Sequence, residues 1–260
     1  MKISVLERCR GWGLGIGMPS YGMANRYYRE GERRADGVKD LFAAVAPRYD
    51  LINDLQSFGM HRLWKRKLLR LAQVRSGEPA LDLCCGTGDI AFALARQGAQ
   101  VTGVDFSDAM LDVARRRNGS GDRAGVTFEQ GDALKLRFPD ASFGLVTIGY
   151  GLRNLRDIDA GLAEMARVTR PGGRLLILDF AFPSQPLWKA AYVWHLRTVV
   201  PLLGRVFCGD ADTHSYILES LRRYPGPASI RQRMEANGWE DVQWWNILGG
   251  VMTLHRGVRS

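Results

Sequence analysis

The feature that most constrains the fold is a regular alternation of short apolar runs with helical segments between residues 80 and 180. The apolar runs are ALDLCCG, VTGVDFS, VTFEQGDA, FGLVTIGYG and GRLLILDF, and helices are predicted to begin at Asp89, Asp108 and Asp157. This alternation is typical of a parallel sheet with helices on both faces. The C-terminal stretch VQWWNILGGVMTLHRG predicts two more strands joined by a glycine turn. We therefore expect an α/β fold with a mostly parallel seven-stranded sheet and an antiparallel strand at its C-terminal end.

The segments outside this alternation suggest how the rest of the chain is organised. Residues 1–37 are rich in Gly, Arg and Tyr without periodicity, and indicate a flexible basic arm or a misassigned start with Met18 or Met23 as alternatives. Residues 38–75 have helical spacing with breaks at Pro47 and Gly59, which predicts a helical cap. Residues 184–235 are predicted to form a helical insertion. We expect residues 38–260 to form one domain, since 46% apolar content can build a sizeable core.

Charge and cysteine content narrow the classes of function. The net charge of +9 favours a polyanion or an anionic membrane surface as a neighbour, although surplus surface arginine explains it equally well. The four cysteines contain no CxxC pair, so no metal site or disulfide framework is expected, and a reducing cytoplasm fits best. The N-terminal stretch lacks the continuous apolar run of a secretory signal, and no run approaches a membrane span.

The segment LDLCCGTGD places Gly86 and Gly88 where a buried strand turns into a helix. Glycines there let the backbone approach a ligand closely at the carboxyl edge of the sheet. Alone, the loop also fits a dinucleotide dehydrogenase or a turn that needs glycine only for packing.

Two carboxylates follow the glycine-rich loop at the ends of successive strands. Asp105 ends VTGVDFS, where it can accept hydrogen bonds from two ribose hydroxyls, and Asp132 ends the third strand, where it can pair with an adenine edge. An acidic helix cap is the other interpretation, and it suits Asp108 better than Asp105. The ordered set predicts a nucleoside ligand.

The stretches LDLCCGTGD, VDFS, GDA and RPGGRLLILDF resemble, in order and spacing, the class I S-adenosylmethionine-dependent methyltransferases. The resemblance implies S-adenosylmethionine as cofactor, with Gly86, Thr87 and Gly88 around its methionine portion, and Asp132 with Ala133 near its adenine. Pro171 and the glycine after it are expected to stop a helix. Cys84 and Cys85 are candidate nucleophiles, because some RNA methyltransferases use cysteine, but a position inside the first strand favours small buried side chains.

Further stretches resemble one subgroup, the ubiquinone/menaquinone biosynthesis C-methyltransferases, over residues 38–257. They are PRYDLINDLQSFGMHRLWK, TIGYGLRN, SYILESLRRYP and GGVMTLHRG. The resemblance implies C-methylation of a prenylated quinol, with demethylmenaquinol as the first acceptor and the ubiquinone-precursor benzoquinol as the second. Many relatives carry serine where this chain has Gly149, so Gly149 is expected at the cofactor site without a hydroxyl contact to the cofactor. Tyrosine is common where this chain has His214.

Arg153 and Asn154 follow the fourth strand and are the predicted catalytic residues. A ring carbon becomes nucleophilic when a neighbouring hydroxyl loses its proton, and a fixed cation at Arg153 would favour that phenolate, while Asn154 would orient the oxygen or a water. The alternatives are a salt bridge from Arg153 to an acid such as Asp157 and a helix-capping role for Asn154.

On the acceptor side, the resemblance points to Tyr49, His61 and Tyr216 as substrate residues. Tyr49 and His61 belong to the helical cap, which could close over the acceptor and exclude water, and either could take a proton. For a lone histidine, a packed or capping role is the alternative.

Residues 186–207 mix apolar and basic side chains and are the predicted contact with an isoprenoid tail or with lipid. This composition suits an interfacial segment on an anionic membrane, and equally a buried helix of the substrate cap. We expect a cytoplasmic protein, with contact to the inner face of the membrane as one hypothesis and a homo-oligomer or a quinone-synthesis assembly as others. Nucleic-acid methylation, suggested only by the charge, and a non-catalytic cofactor-binding scaffold are the competing functions, and no nucleic-acid partner is expected.

Overall fold

The computed structural model describes residues 34–119, 125–208 and 212–260, so nearly all of the predicted N-terminal arm lies outside it, as does the side chain of His214. One sheet of seven strands runs through the described chain. Its strands are β1 Pro79–Leu83, β2 Gln100–Asp105, β3 Val126–Gln130, β4 Phe143–Gly149, β5 Thr169–Phe180, β6 Trp239–Ile247 and β7 Met252–Arg259.

Nine helices pack around this sheet in the described residues. They are α1 Arg34–Val45, α2 Tyr49–Ser57, α3 His61–Ala72, α4 Asp89–Arg96, α5 Asp108–Asn118, α6 Ile158–Val168, α7 Pro186–Cys208, α8 Asp212–Arg223 and α9 Pro227–Ala236. The first three lie in the stretch predicted as a helical cap, except that α1 begins at Arg34, four residues before it and inside the predicted arm. Their breaks fall at Pro47, inside a 3-10 turn, and at Gly59, which has a φ of +72°.

The strand order is β3-β2-β1-β4-β5-β7-β6, and every neighbouring pair is parallel except those made by β7. The predicted Rossmann-like sheet with one antiparallel strand is therefore confirmed. The order of strands reverses between β1 and β4, both of which are almost fully buried. In open parallel sheets a ligand binds in the crevice at the carboxyl ends of the strands that flank such a reversal.

The helix starts follow from local chemistry. The α4 and α5 helices begin at Asp89 and Asp108 as predicted, and Asp157 caps α6 by accepting a hydrogen bond from Ala160 N at 3.0 Å. The prediction that Pro171 stops α6 is wrong. The helix already ends at Val168, because β5 begins at Thr169 and pairs there with Phe143.

Two apolar layers hold the helices against the sheet. The side chains of β5 alternate between them: Leu176 and Leu178 face the layer under α3, α4 and α7, while Leu175 and Ile177 face the layer under α6 and α9. This period of two is the reason that a buried strand can serve both faces.

A polar network ties the cap to the glycine-rich loop. Arg117 of α5 binds Asp50 of α2 at 3.0 Å and Asp89 of α4 at 2.7 Å. Lys65 of α3 binds the other oxygen of Asp89 at 2.7 Å, and the Thr87 hydroxyl donates to Asp50 at 2.8 Å. The cap is thus anchored at the start of α4.

Two kinds of feature are absent from the described residues. None of the helices there is long and apolar enough to cross a membrane. No group of three or more His, Cys, Asp or Glu side chains in the described part of the chain is placed to hold a metal ion.

Candidate active site

A cavity of about 190 Å³ lies at the carboxyl ends of β1, β2 and β4, where the strand order reverses. Its walls come from the loops after these strands, from α5 and from the cap. Among the residues that line it are Gly86, Asp105, Asp132, Ala133 and Gly149, all of which were predicted at the cofactor site. The sheet topology brings these residues together although they span more than sixty positions of the chain.

Asp105 is held by backbone donors. One carboxylate oxygen accepts from Gly86 N at 2.8 Å and the other from Ser107 N at 2.9 Å. Burial raises the pKa of Asp105 above its ordinary value, against the effect of these backbone bonds. Because a carboxylate oxygen can accept more than one hydrogen bond, both remain able to accept from ribose hydroxyls.

Asp132 and Ala133 line the far side of the same cavity. Asp132 accepts from Leu134 N at 2.9 Å, which fixes the loop after β3. The carboxylate is therefore positioned by its own loop at the edge of the cavity.

Only the first member of the Gly86, Thr87 and Gly88 set lines the cavity. The Thr87 hydroxyl is engaged with Asp50 at 2.8 Å, and its carbonyl accepts from Arg117 at 2.8 Å. A Cβ at Gly88 would lie 2.8 Å from the Phe92 ring, and the φ of +88° there also favours glycine. In this structure Thr87 and Gly88 shape the loop and do not face the cavity.

The two cysteines lie just past β1, which ends at Leu83, so their expected place inside the strand is wrong. Cys84 has a φ of +51° and lines the cavity, whereas Cys85 is buried beside Gly103. Burial raises the pKa of both thiols well above the ordinary value, which leaves them protonated and poor nucleophiles.

Gly149 and Gly151 border the cavity for steric reasons. A Cβ at Gly149 would lie 2.5 Å from Ile90 Cδ1, and one at Gly151 would lie 2.5 Å from Cys84 Cβ. A side chain at Gly149 would thus point toward α4, so its absence lets α4 pack closely behind the cavity.

Arg153 is buried and its guanidinium binds Asp179, not Asp157. Nη1 donates to Asp179 Oδ1 at 2.5 Å and to the Tyr150 carbonyl at 2.7 Å, and the Arg153 backbone N donates to Asp179 Oδ2 at 3.1 Å. Its carbon Cζ lies 5.1 Å from the centre of the Phe180 ring. The salt bridge that the sequence suggested is therefore present with a different partner, and Asp157 caps α6 instead.

Asn154 lines the cofactor cavity and does not cap α6. Its Nδ2 donates to the Tyr150 carbonyl at 3.3 Å, and its Oδ1 accepts from the Tyr216 hydroxyl at 3.1 Å. Tyr216 is buried and comes from α8, so the acceptor-side helices are bonded directly to the end of β4.

Tyr49 lines both this cavity and a small one of about 60 Å³, which is also bordered by Arg153 and Tyr216. Burial raises the pKa of Tyr49 to about 12, although its hydrogen bond with Asn53 acts the other way. Its phenol is therefore neutral near pH 7 and can donate or accept a hydrogen bond, but it does not serve as a base.

His61 lines another cavity, of about 320 Å³, between the cap and α7. The wall of this cavity is largely apolar and aromatic, with Trp64, Phe180, Trp188 and Tyr192 among its members. His61 itself is buried and bonded through Nε2 to Asp54 at 2.8 Å.

Tyr150 joins the three cavities and was not predicted as a site residue. Of the described residues it alone lines all of them. Its φ of +62° is rare for a bulky side chain, and such strain is typical of functional positions. Its ring packs 5.5 Å from that of Phe180. A non-glycine residue in that backbone conformation gives no signal in a sequence, although its place in TIGYGLRN could have drawn attention.

The residues of the first cavity fit S-adenosylmethionine. Besides the two carboxylates, Ser107 has a buried hydroxyl that lines the cavity and has no partner among the described residues. Ser107 belongs to the VDFS motif, but its side chain was not predicted at the site. Together with the sheet order, this donor and acceptor set defines a class I S-adenosylmethionine-dependent methyltransferase.

Comparison with known proteins agrees with this class. The ubiE/COQ5 methyltransferase family matches residues 29–259. The protein named ubiquinone/menaquinone biosynthesis C-methyltransferase UbiE from Shewanella halifaxensis is 40% identical over 88% of this chain and 93% of its own length, and that from Idiomarina loihiensis is 42% identical over 85% and 90%. The chain belongs to the ubiE/COQ5 methyltransferase family, as its motifs predicted, and its cofactor is S-adenosylmethionine.

Solved structures show the same fold at low identity. The [4+2]-cyclase SpnF matches with a TM-score of 0.66 at 16% identity, covering 86% of this chain and 96% of that one. A Haemonchus contortus phosphoethanolamine N-methyltransferase 2, solved with S-adenosyl-L-methionine, matches with a TM-score of 0.60 at 18% identity, covering 93% of this chain and 61% of that one.

Proposed function

We propose that this protein transfers a methyl group from S-adenosylmethionine to a ring carbon of a prenylated quinol, and that demethylmenaquinol is its acceptor. The observation that carries the proposal is the junction at Tyr150. A nucleoside-sized cavity with two carboxylates meets a larger apolar cavity there, and a small third cavity, bordered by Tyr49, Arg153 and Tyr216, adjoins both at Tyr150. The acceptor's ring would lie at the junction, beside Tyr150 and open to the apolar cavity, and its tail would extend along that cavity. The similar UbiE proteins carry the names of quinone-pathway C-methyltransferases.

The polar groups at the junction suit a ring that carries hydroxyls. Tyr49, Arg153 and Tyr216 border the small cavity, while Phe180 and Ile217 supply flat or apolar surface for the ring. Because Asp179 compensates its charge, Arg153 would act on a nearby phenolate as one end of a fixed dipole and not as an isolated cation. Holding the ring carbon in line with the methyl group is itself a large part of such catalysis.

The mouth of the apolar cavity favours delivery of the tail from a membrane. Four of the side chains that line the cavity are large, apolar and exposed: Phe58, Trp188, Trp194 and Leu248. Lys189 and Arg197 are exposed on α7, which carries Trp188 and Trp194, and Arg62 is exposed at the start of α3, four residues after Phe58. Aromatic side chains with basic neighbours are typical of an interfacial contact with anionic lipid. We propose that the protein works in the cytoplasm and rests on the membrane through this mouth.

The direct test is methyl transfer in detergent. Purified protein is incubated with methyl-labelled S-adenosylmethionine and either demethylmenaquinol or the demethylated benzoquinol precursor of ubiquinone, and label is followed into the lipid extract. Label in demethylmenaquinol alone supports the proposal, and label in the benzoquinol alone assigns the other pathway. If the cofactor binds and neither quinol is labelled, the quinol assignment is wrong.

The membrane contact has its own test. Flotation with vesicles that contain anionic lipid should carry the protein, and Trp194→Ser and Phe58→Ser should each reduce the floated fraction. Flotation that is equal for the three proteins would contradict a contact through this mouth.

A further inference from the structure

An Asp–His pair lies in the wall of the apolar cavity. His61 Nε2 lies 2.8 Å from Asp54 Oδ1, and His61 is buried. Asp54 is itself fixed by Arg62, whose Nε and Nη2 donate to its two oxygens at 2.9 and 2.6 Å. Because the carboxylate accepts from Nε2, the neutral ring carries its proton on that nitrogen.

The second ring nitrogen of His61 is then a lone-pair acceptor. Nδ1 is buried and has no hydrogen-bond partner among the described residues. His61 lines the same cavity as Tyr150, the residue at the junction, together with Trp64 and residues of α7. A buried acceptor without a partner is costly unless a ligand satisfies it.

Burial outweighs the neighbouring carboxylates and leaves this ring neutral near pH 7. The pKa of His61 is lowered below its ordinary value by burial and, to a smaller extent, by the charge of Lys65, whereas Asp54 and Asp89 act to raise it. Lys65 and Asp89 are paired with each other at 2.7 Å. From α7, His195 faces the same cavity, and its pKa is also lowered by burial.

We infer that His61, oriented by Asp54, accepts the proton of the acceptor's ring hydroxyl. The inference rests on the proposed function and adds the proton acceptor, a role that neither Arg153 nor Tyr49 can fill. A guanidinium beside a carboxylate stays protonated, and burial keeps the Tyr49 phenol neutral. Asp54 would have the part that the acid has in other Asp–His pairs, fixing the tautomer and stabilising the imidazolium.

The step balances with the reactants already named. The hydroxyl O–H bond breaks and its proton passes to Nδ1, while the electron pair moves through the ring to the carbon beside the hydroxyl-bearing one. That carbon forms the new bond to the methyl group as the bond from methyl to sulfur breaks, which leaves S-adenosylhomocysteine. The methylated carbon then releases its hydrogen as a proton and the oxygen takes back the proton held on Nδ1, so one proton leaves overall and the quinol stays reduced.

The test compares the pH dependence of kcat/KM for a short-tailed demethylmenaquinol. In the unsubstituted enzyme, activity should fall as the pH drops through the lowered pKa of His61. In His61→Gln, kcat should fall by about a hundredfold or more, and the remaining rate should keep rising with pH as the hydroxyl ionises unaided. His195→Gln is the matched control, and its pH profile should keep the acid limb. Calorimetric affinity for S-adenosylhomocysteine shows whether each variant is folded.

Asp54→Asn provides a second readout that a structural role would not move. The amide oxygen can still accept from Nε2, but loss of the negative charge should lower the pKa of His61 and move the acid limb to lower pH. Nitrogen NMR of the imidazole, without acceptor, should show protonated Nε2 and bare Nδ1 at pH 7, and the same downward move of the midpoint in this variant.

The outcomes separate the two proposals. If the unsubstituted enzyme labels no quinol, the proposed function fails and the inference fails with it. If it does label a quinol, but His61→Gln keeps its rate and its acid limb, or if NMR finds the proton on Nδ1, the inference alone is overturned.

Discussion

Arg153 and Asp179 form a buried ion pair between the turn after β4 and the end of β5, with Nη1 and Oδ1 2.5 Å apart. The two strands are neighbours, and Gly149 lies opposite Leu178 in their register. This places the turn after β4 beside the last residues of β5 at the carboxyl edge, although 26 positions separate Arg153 from Asp179.

Breaking this pair should cost more than removing it. Arg153→Met leaves a buried carboxylate alone and should lower the free energy of unfolding by roughly 3–5 kcal/mol. Arg153→Met/Asp179→Asn keeps an acceptor for only one of the backbone N–H groups of Arg153 and Phe180, which bond to different oxygens of Asp179, and should recover part of that loss in urea unfolding. Methyl transfer should stay low in both, because the guanidinium at the junction is missing. Recovered activity in the double variant would show that Arg153 serves only the fold.

Asp105 should control affinity for the nucleoside. Asp105→Ala removes the acceptor of two ribose hydrogen bonds and should weaken binding of S-adenosylhomocysteine by about a hundredfold, at 1.5 kcal/mol or more for each bond to a charged group. Asp105→Asn should fall between. Isothermal calorimetry measures both, with Asp108→Ala, exposed at the start of α5, as control. Equal weakening in the control would mean that the loop, and not the carboxylate, was disturbed.

Stability should depend on pH through Asp82. Burial raises the pKa of this carboxyl to about 7 from an ordinary 3.8, so the folded protein holds a proton there that the unfolded chain has released. The stability that this bound proton contributes is fully present below pH 3.8 and is lost as the pH rises through about 7. In Asp82→Asn the side chain still accepts a hydrogen bond from the Thr147 hydroxyl, which lies 2.7 Å away. From pH 5 to pH 8 the free energy of unfolding of this variant should rise by roughly 3 kcal/mol relative to that of the unsubstituted protein. Urea unfolding at both pH values measures this, and Asp112→Asn, on the exposed side of α5, should show no such change.

Gly151 and Cys84 should be coupled. Gly151→Ala places a methyl group 2.5 Å from Cys84 Cβ and should destabilise by about 1–3 kcal/mol through overpacking. Cys84→Gly removes the obstructing atoms at a residue whose φ is already +51°, and the double variant should be more stable than Gly151→Ala alone. Thermal unfolding of the four proteins forms the cycle. Simple additivity would rule out a direct clash.

Local chemistry made the sheet and the cofactor carboxylates predictable. Strand ends such as Asp105 and Asp132 come from period and spacing, and a parallel sheet gathers them at one edge whatever the details of packing. Partners across the sheet are a different matter. Asp157 is the nearest acid to Arg153 in the sequence, four residues away, but the strand register brings Asp179 beside Arg153 instead.

Side-chain direction in loops was equally out of reach. Thr87 lies in the right loop, but its hydroxyl faces Asp50 of the cap, which depends on how α2 docks. Tyr150 gave no signal because its importance comes from a backbone conformation and from three cavities that form only in the folded chain.

The interior is divided at Tyr150, which bears on how the two reactants would enter and leave. Of the described residues, only Tyr150 borders both the carboxylate-lined cavity and the large apolar one. For the quinol proposed above, the nucleoside and the lipid would enter separate cavities, one walled by the loops after the strands and the other by the cap and α7. The spent nucleoside would then be exchanged for a fresh one without waiting for the lipid product to leave.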